Sequence, residues 1–162
     1  MTTFFRFVQV FALGTWVGAV IYLSFVVAPA AFGVIASRDQ AGALVGLALG
    51  RLHILGCIAG AAYLLAAAGQ ARSLGAILKP AALAVILMLA LTIFSQWGVT
   101  SRMAQLRMRM GSVDSTPREN PLRQEFDRLH RLSVRIEGTV LLAGLVALVL
   151  TVRNPAWAAA SS

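Results

Sequence analysis

Two histidines, one isolated glutamate and a set of arginines are the residues of this chain best suited to chemistry. His53 and His130 are its only histidines. Imidazole is a common ligand for haem iron and for transition metals, and the interior of a helix bundle is a usual place to hold either, so the pair forms a candidate metal site for haem or copper. Cys57, one helical turn beyond His53, adds a soft donor that suits copper. The structural reading stands beside the functional one. Each imidazole then bonds a backbone carbonyl or a hydroxyl such as that of Ser133 or Tyr22, and Cys57 is a small buried apolar residue. Phe126, His130, Ser133 and Glu137 follow spacings of four, three and four, which places them on one helical face. Glu137 needs a partner at that depth, and Arg51 is the expected one. The candidate polar cluster is therefore Arg51, His53, His130, Ser133 and Glu137.

These residues must be positioned by membrane helices. The chain has 162 residues, of which 59% are hydrophobic and 12% charged, with a mean hydropathy of +0.80. A soluble domain carries about twice that share of charge, so a cytosolic enzyme, a disordered tail and a secreted disulfide scaffold are excluded. A single cysteine rules out an internal disulfide and a Cys-based zinc cluster. A bilayer core about 30 Å thick needs about 20 apolar residues. Uncharged runs cover 7–37, 52–71, 80–101 and 138–152. The last is short, and its helix is expected to begin at Asn120-Pro121, where a capping side chain precedes a proline.

The resulting expectation is an all-α, integral membrane four-helix bundle, a single domain over 1–155, with helices at about 7–36, 42–71, 79–110 and 121–152 and a flexible tail over 156–162. Pro29 is expected to kink or end the first helix. The third helix reads as apolar all round. Its continuation sets Met103, Leu106 and Met110 against Arg102, Gln105 and Arg109, which suits either a helix at the headgroup boundary or a plain extension.

Charge sets the topology. The formal net charge is +8, and Arg102, Arg107, Arg109, Arg118, Arg123, Arg128, Arg131 and Arg135 fall in one connection. Four crossings put both termini on one side with Arg6, Arg72, Lys79 and Arg153, against ten basic residues on the other side, the eight just named with Arg38 and Arg51. The positive-inside rule then places the connection between helices three and four in the cytoplasm, near anionic lipid, and the termini outside. Nucleic-acid binding is not expected, because no recognition fold accompanies the charge.

Helices in lipid associate by close packing, for which small residues at four-residue spacing are suited. Gly14 and Gly18 on the first helix, and Gly42, Gly46 and Gly50 leading into the second, with Gly56 and Gly60 beyond, are expected to bring these two helices together.

Several strings resemble a known membrane domain: Trp16-Val17-Gly18, Tyr22-Leu23-Ser24-Phe25-Val26-Val27-Ala28-Pro29 with Phe32, Gly50-Arg51-Leu52-His53, and Asn120-Pro121 with Phe126-Asp127-Arg128-Leu129-His130-Arg131-Leu132-Ser133. Together they are similar to the transmembrane protein 205-like domain, a bacterial branch of which is a domain of unknown function. The likeness covers nearly the whole chain and includes Pro29, His53, His130 and Ser133 among its motif positions. It implies a four-helix protein of the bacterial inner membrane and brings no catalytic activity. The expected role is non-enzymatic, as a structural or accessory subunit associating with other membrane proteins or with itself. The alternatives are a haem- or metal-binding protein using His53 and His130, and a small oligomeric transporter or channel.

Overall fold

The computed structural model describes residues 2–71 and 74–153 of the chain, so the expected flexible tail and Arg72 lie outside the described residues. Every element among the described residues is helical. Four helices are long and apolar enough to cross a membrane: α1 (Thr3–Val34), α2 (Arg38–Ala71), α3 (Pro80–Met110) and α4 (Pro121–Val152). The chain is an integral membrane protein by this measure. At 1.5 Å per residue these helices reach about 46–51 Å, well beyond a hydrocarbon core of about 30 Å. The arginines of α3 and α4 gather at one end of these long helices.

Helix starts follow from local chemistry. Pro121 opens α4 and the Asn120 side chain accepts from the Leu122 amide at 2.9 Å, satisfying one orphan donor of the first turn. Pro80 opens α3 in the same way, with Lys79 as the flanking residue. At its other end α3 stops at Gly111, whose φ of +71° and amide bond to Arg107 O turn the chain where a side chain would be strained.

Pro29 does not end α1. The helix widens into a π turn over Leu23–Val27, resumes as an α-helix over Ala28–Val34 and ends where Ile35 becomes extended. A wide turn just ahead of a proline relieves the clash of its ring with the preceding turn, so the helix can continue. A second π turn, Ser95–Thr100, interrupts α3.

The four helices form a ring in which each packs on its sequence neighbour and α4 closes against α1. The core runs through Trp16, Val20, Tyr63, Val85, Met88 and Val140. A smaller cluster of Leu106, Val113 and Phe126 seals the basic end. Leu106 is fully buried there, so the end of α3 is a plain extension packed on α4 and not a helix lying at the headgroups. At this same end α1 and α2 leave Phe25, Phe32, Val34, Leu44 and Leu47 exposed.

Of the expected glycines only some permit close approach. A Cβ on Gly14, Gly18 or Gly46 would meet nothing within 4 Å, one on Gly50 would meet only Gln96 Oε1 at 3.9 Å, and one on Gly42 would meet the Arg107 guanidinium at 2.8 Å. Close packing falls instead at Gly56 against Trp16, Gly60 against Leu89, and Gly144 against Val17 and Met88. Four-residue spacing keeps residues near one helical face without fixing whether that face meets a neighbour.

Candidate functional site: a buried histidine between an amide and a carboxylate

His53 lies on α2, Gln96 on the π turn of α3 and Glu137 on α4, each within two residues of the midpoint of its helix. The apolar runs 52–71 and 138–152 begin at this level, so on α2 and α4 these side chains stand where the arginine-bearing stretch gives way to the uncharged one.

The imidazole of His53 is 1% exposed and engaged at both nitrogens. Nδ1 lies 2.7 Å from Gln96 Oε1, and Nε2 lies 2.7 Å from Glu137 Oε1. With the Gln96 oxygen as acceptor, Nδ1 carries a hydrogen. One further proton then occupies the short bond between Nε2 and the carboxylate. Placed on nitrogen it makes an imidazolium–carboxylate pair; placed on oxygen it makes an imidazole beside a carboxylic acid. Both arrangements have the same net charge of zero, which is how an ionisable pair is tolerated at this depth. The geometry can hold or shift a proton between two atoms, and it ties three helices at one point.

The π turn presents Gln96. In it the Ser101 amide and hydroxyl both donate to Gln96 O, the five-residue reach of a π turn replacing the usual four. The widened turn leaves Ser95 Oγ and Thr100 Oγ1 buried with no hydrogen-bond partner, and Trp16 Nε1 is in the same condition where the indole packs on Gly56.

Of the expected cluster, the structure brings together only His53 and Glu137. Arg51 is exposed and is not the partner of Glu137. Two residues along a helix turn it by about 200°, so Arg51 and His53 point to opposite sides, and His53 has the inward one. His130 is exposed, two turns or about 10 Å along the axis from Glu137, and does not approach His53. It stands about 60° around α4 from buried Ser133, at the edge of the inward face. Ser133 is buried and bonds neither histidine. Cys57 is a half-buried free thiol. Among the described residues, no group of three or more His, Cys, Asp or Glu side chains is arranged to hold a metal ion.

Sequence reasoning missed Gln96. An uncharged amide inside an apolar run was the available signal, since a polar side chain in that setting also needs a partner. Asp39 was missed as well. Its carboxylate accepts from Ser112 Oγ at 2.6 Å and from the Val113 amide at 2.9 Å, while Arg107 donates to the Asp39 carbonyl at 2.7 Å and stacks over Phe126. That knot fastens the 111–120 connection to the start of α2, and it occupies the space that Gly42 leaves.

A family model described as Domain of unknown function (DUF4149) matches residues 11–112. The chain belongs to this family. The matched residues take in α1 from Phe11 onward, all of α2 and all of α3, so His53 and Gln96 lie inside the family region and Glu137 lies beyond it. No curated protein and no solved structure matches the chain.

Proposed function

We propose that this DUF4149 chain is a non-enzymatic protein of the bacterial inner membrane, a structural or accessory subunit that associates with other membrane proteins or with itself. The observation that carries the reading is the closure of the polar centre. Both nitrogens of His53 are engaged within the chain, so neither faces an open position for a metal, a haem iron or a substrate. The geometry lends no support to a metal site built from His53 and His130. A second feature agrees: at the basic end, large apolar side chains of α1 and α2 stay exposed beside arginine-rich α3 and α4, a mixed surface that suits both a partner and anionic lipid. The charge asymmetry supports a cytoplasmic basic end and termini on the opposite side. The likeness to the transmembrane protein 205-like domain supports the same four-helix membrane placement.

Native mass spectrometry of the full chain, extracted from its own membranes in mild detergent, tests this reading. The expected result is a complex of fixed stoichiometry, either with another subunit or with further copies of the chain. A chain that leaves the membrane only as a monomer, across detergents and concentrations, overturns it.

A further inference from the structure

At the end of the bundle opposite the arginines, all four helices contribute to a cavity of about 320 Å³ lined by Gln9, Tyr63, Gln70, Lys79, Leu150 and Thr151 among others. Gln9 is more than nine-tenths buried, and its Nε2 donates to Gln70 Oε1 at 2.8 Å. An amide pair joined by one bond leaves the other end of each amide unpartnered, whichever way the two are turned. Tyr63 and Thr151 are differently placed. The Thr151 hydroxyl donates to Ala147 O at 2.7 Å, so Tyr63 must donate to Thr151 across their 2.8 Å contact, and neither hydroxyl has a hydrogen left for a ligand.

The unused side-chain groups in the cavity are therefore an amide NH₂, an amide carbonyl and the Lys79 ammonium, and no carboxylate is among its described lining residues. Ala81 and Ala82 also line it, and their first-turn amides have no acceptor within α3, whose first turn holds no acidic side chain. Surplus donors, one cation and no counter-charge fit an anion. Leu150 and the alanines of the wall supply an apolar flank suited to the start of a hydrocarbon chain. Lys79 stands just ahead of the apolar run of α3 and Ala71 closes that of α2, which puts the cavity at headgroup depth.

We infer that this cavity binds a phosphate-bearing anion, with Lys79 and the Gln9–Gln70 pair as its recognising groups. The anion is either the headgroup of a phospholipid or free phosphate. This site is separate from the basic end, where lipid attraction rests on many arginines and no cavity of this composition.

The test uses the full chain and three variants: Lys79→Gln and Gln70→Leu at the cavity, and Arg128→Gln at the basic end as a control. Retention of phosphatidylglycerol over phosphatidylcholine is read by native mass spectrometry from mixed nanodiscs, and thermal stabilisation by inorganic phosphate is read in a zwitterionic detergent. Losing a charge-assisted hydrogen bond corresponds to about tenfold in affinity. A roughly tenfold drop in phosphatidylglycerol preference in Lys79→Gln and Gln70→Leu, absent in Arg128→Gln, supports the site with a lipid occupant. Stabilisation by phosphate that both cavity variants lose, with no lipid preference, supports it with the free anion. Lipid preference and phosphate response unchanged in both cavity variants overturn it, as does a loss confined to Arg128→Gln. Lys79 is exposed at the rim and makes no side-chain cap, so its variant is expected to fold, and the circular dichroism melt of each variant confirms this.

Discussion

Between α1 and α2 the indole of Trp16 lies directly on the backbone of Gly56, whereas at the start of α2 the carboxylate of Asp39 collects donors from Ser112 and Val113. The first contact holds by shape and the second by hydrogen bonding. In the lipid-embedded half, dispersion between closely fitted surfaces is the main attraction, because lipid tails compete equally well for apolar contact, with Gln9–Gln70 and Tyr63–Thr151 adding hydrogen bonds between helices. At the basic end water can compete, and the chain answers with directed bonds: Arg107 to Asp39 O, Arg123 to Asp127 at 3.1 Å, and Arg102 to Glu125 at 3.0 Å. The last pair is close to half exposed on both sides and contributes little. His53 sits where the two regimes meet, and its bonds to Gln96 and Glu137 run through a buried core across three helices.

That division is breakable, and the largest effect is expected at the meeting point. Glu137→Ala leaves a buried imidazole without its carboxylate and should cost about 3–5 kcal/mol. In thermal melts in detergent, both halves should lose structure together. A melt within a degree of the parent chain would show that the bond to His53 is not what joins them. Gly56→Ala should come next. Its Cβ would stand 2.5 Å from the Trp16 ring, which is fully buried, and overpacking of this kind costs about 1–3 kcal/mol. The loss should be the same at low and high salt, whereas a salt-sensitive loss would mean that the lipid-embedded half is not governed by shape.

The smallest effect belongs to Asp39→Ala. Removing two or three directed bonds near water should cost about 1–2 kcal/mol. The change should be local: hydrogen exchange and proteolysis should rise in 111–120 with little movement of the main melt. A global drop as large as that of Gly56→Ala would erase the distinction between the two ends.

The fold was largely readable because lipid imposes a simple rule on sequence. Uncharged runs of sufficient length become spans, and Asn120-Pro121 announces a helix start. Two of the three groups of the polar centre were readable by the same rule, since His53 and Glu137 are ionisable groups in or beside apolar runs. Their pairing was not. Sequence ranks Arg51 above His53 as a partner by charge, while helix rotation, which decides which of the two faces inward, depends on packing. Gln96 escaped because a neutral amide has no charge to draw attention and lies in a run that reads as uniformly apolar. The glycine spacing found Gly56 against Trp16 but not which other glycines make contact, since spacing is a property of one helix and contact is a property of two. The first π turn has Pro29 as its sequence signal, whereas the second, Ser95–Thr100, has none.

The two π turns also alter how the sequence can be counted. Each adds a residue to a turn without lengthening the span by a full turn, so the chain after Val27 and after Thr100 is out of phase with the chain before it. Beyond the second π turn Leu106 is buried and Arg107 reaches Asp39. A relative without one of these wide turns would need one residue fewer there to keep the same facing beyond it.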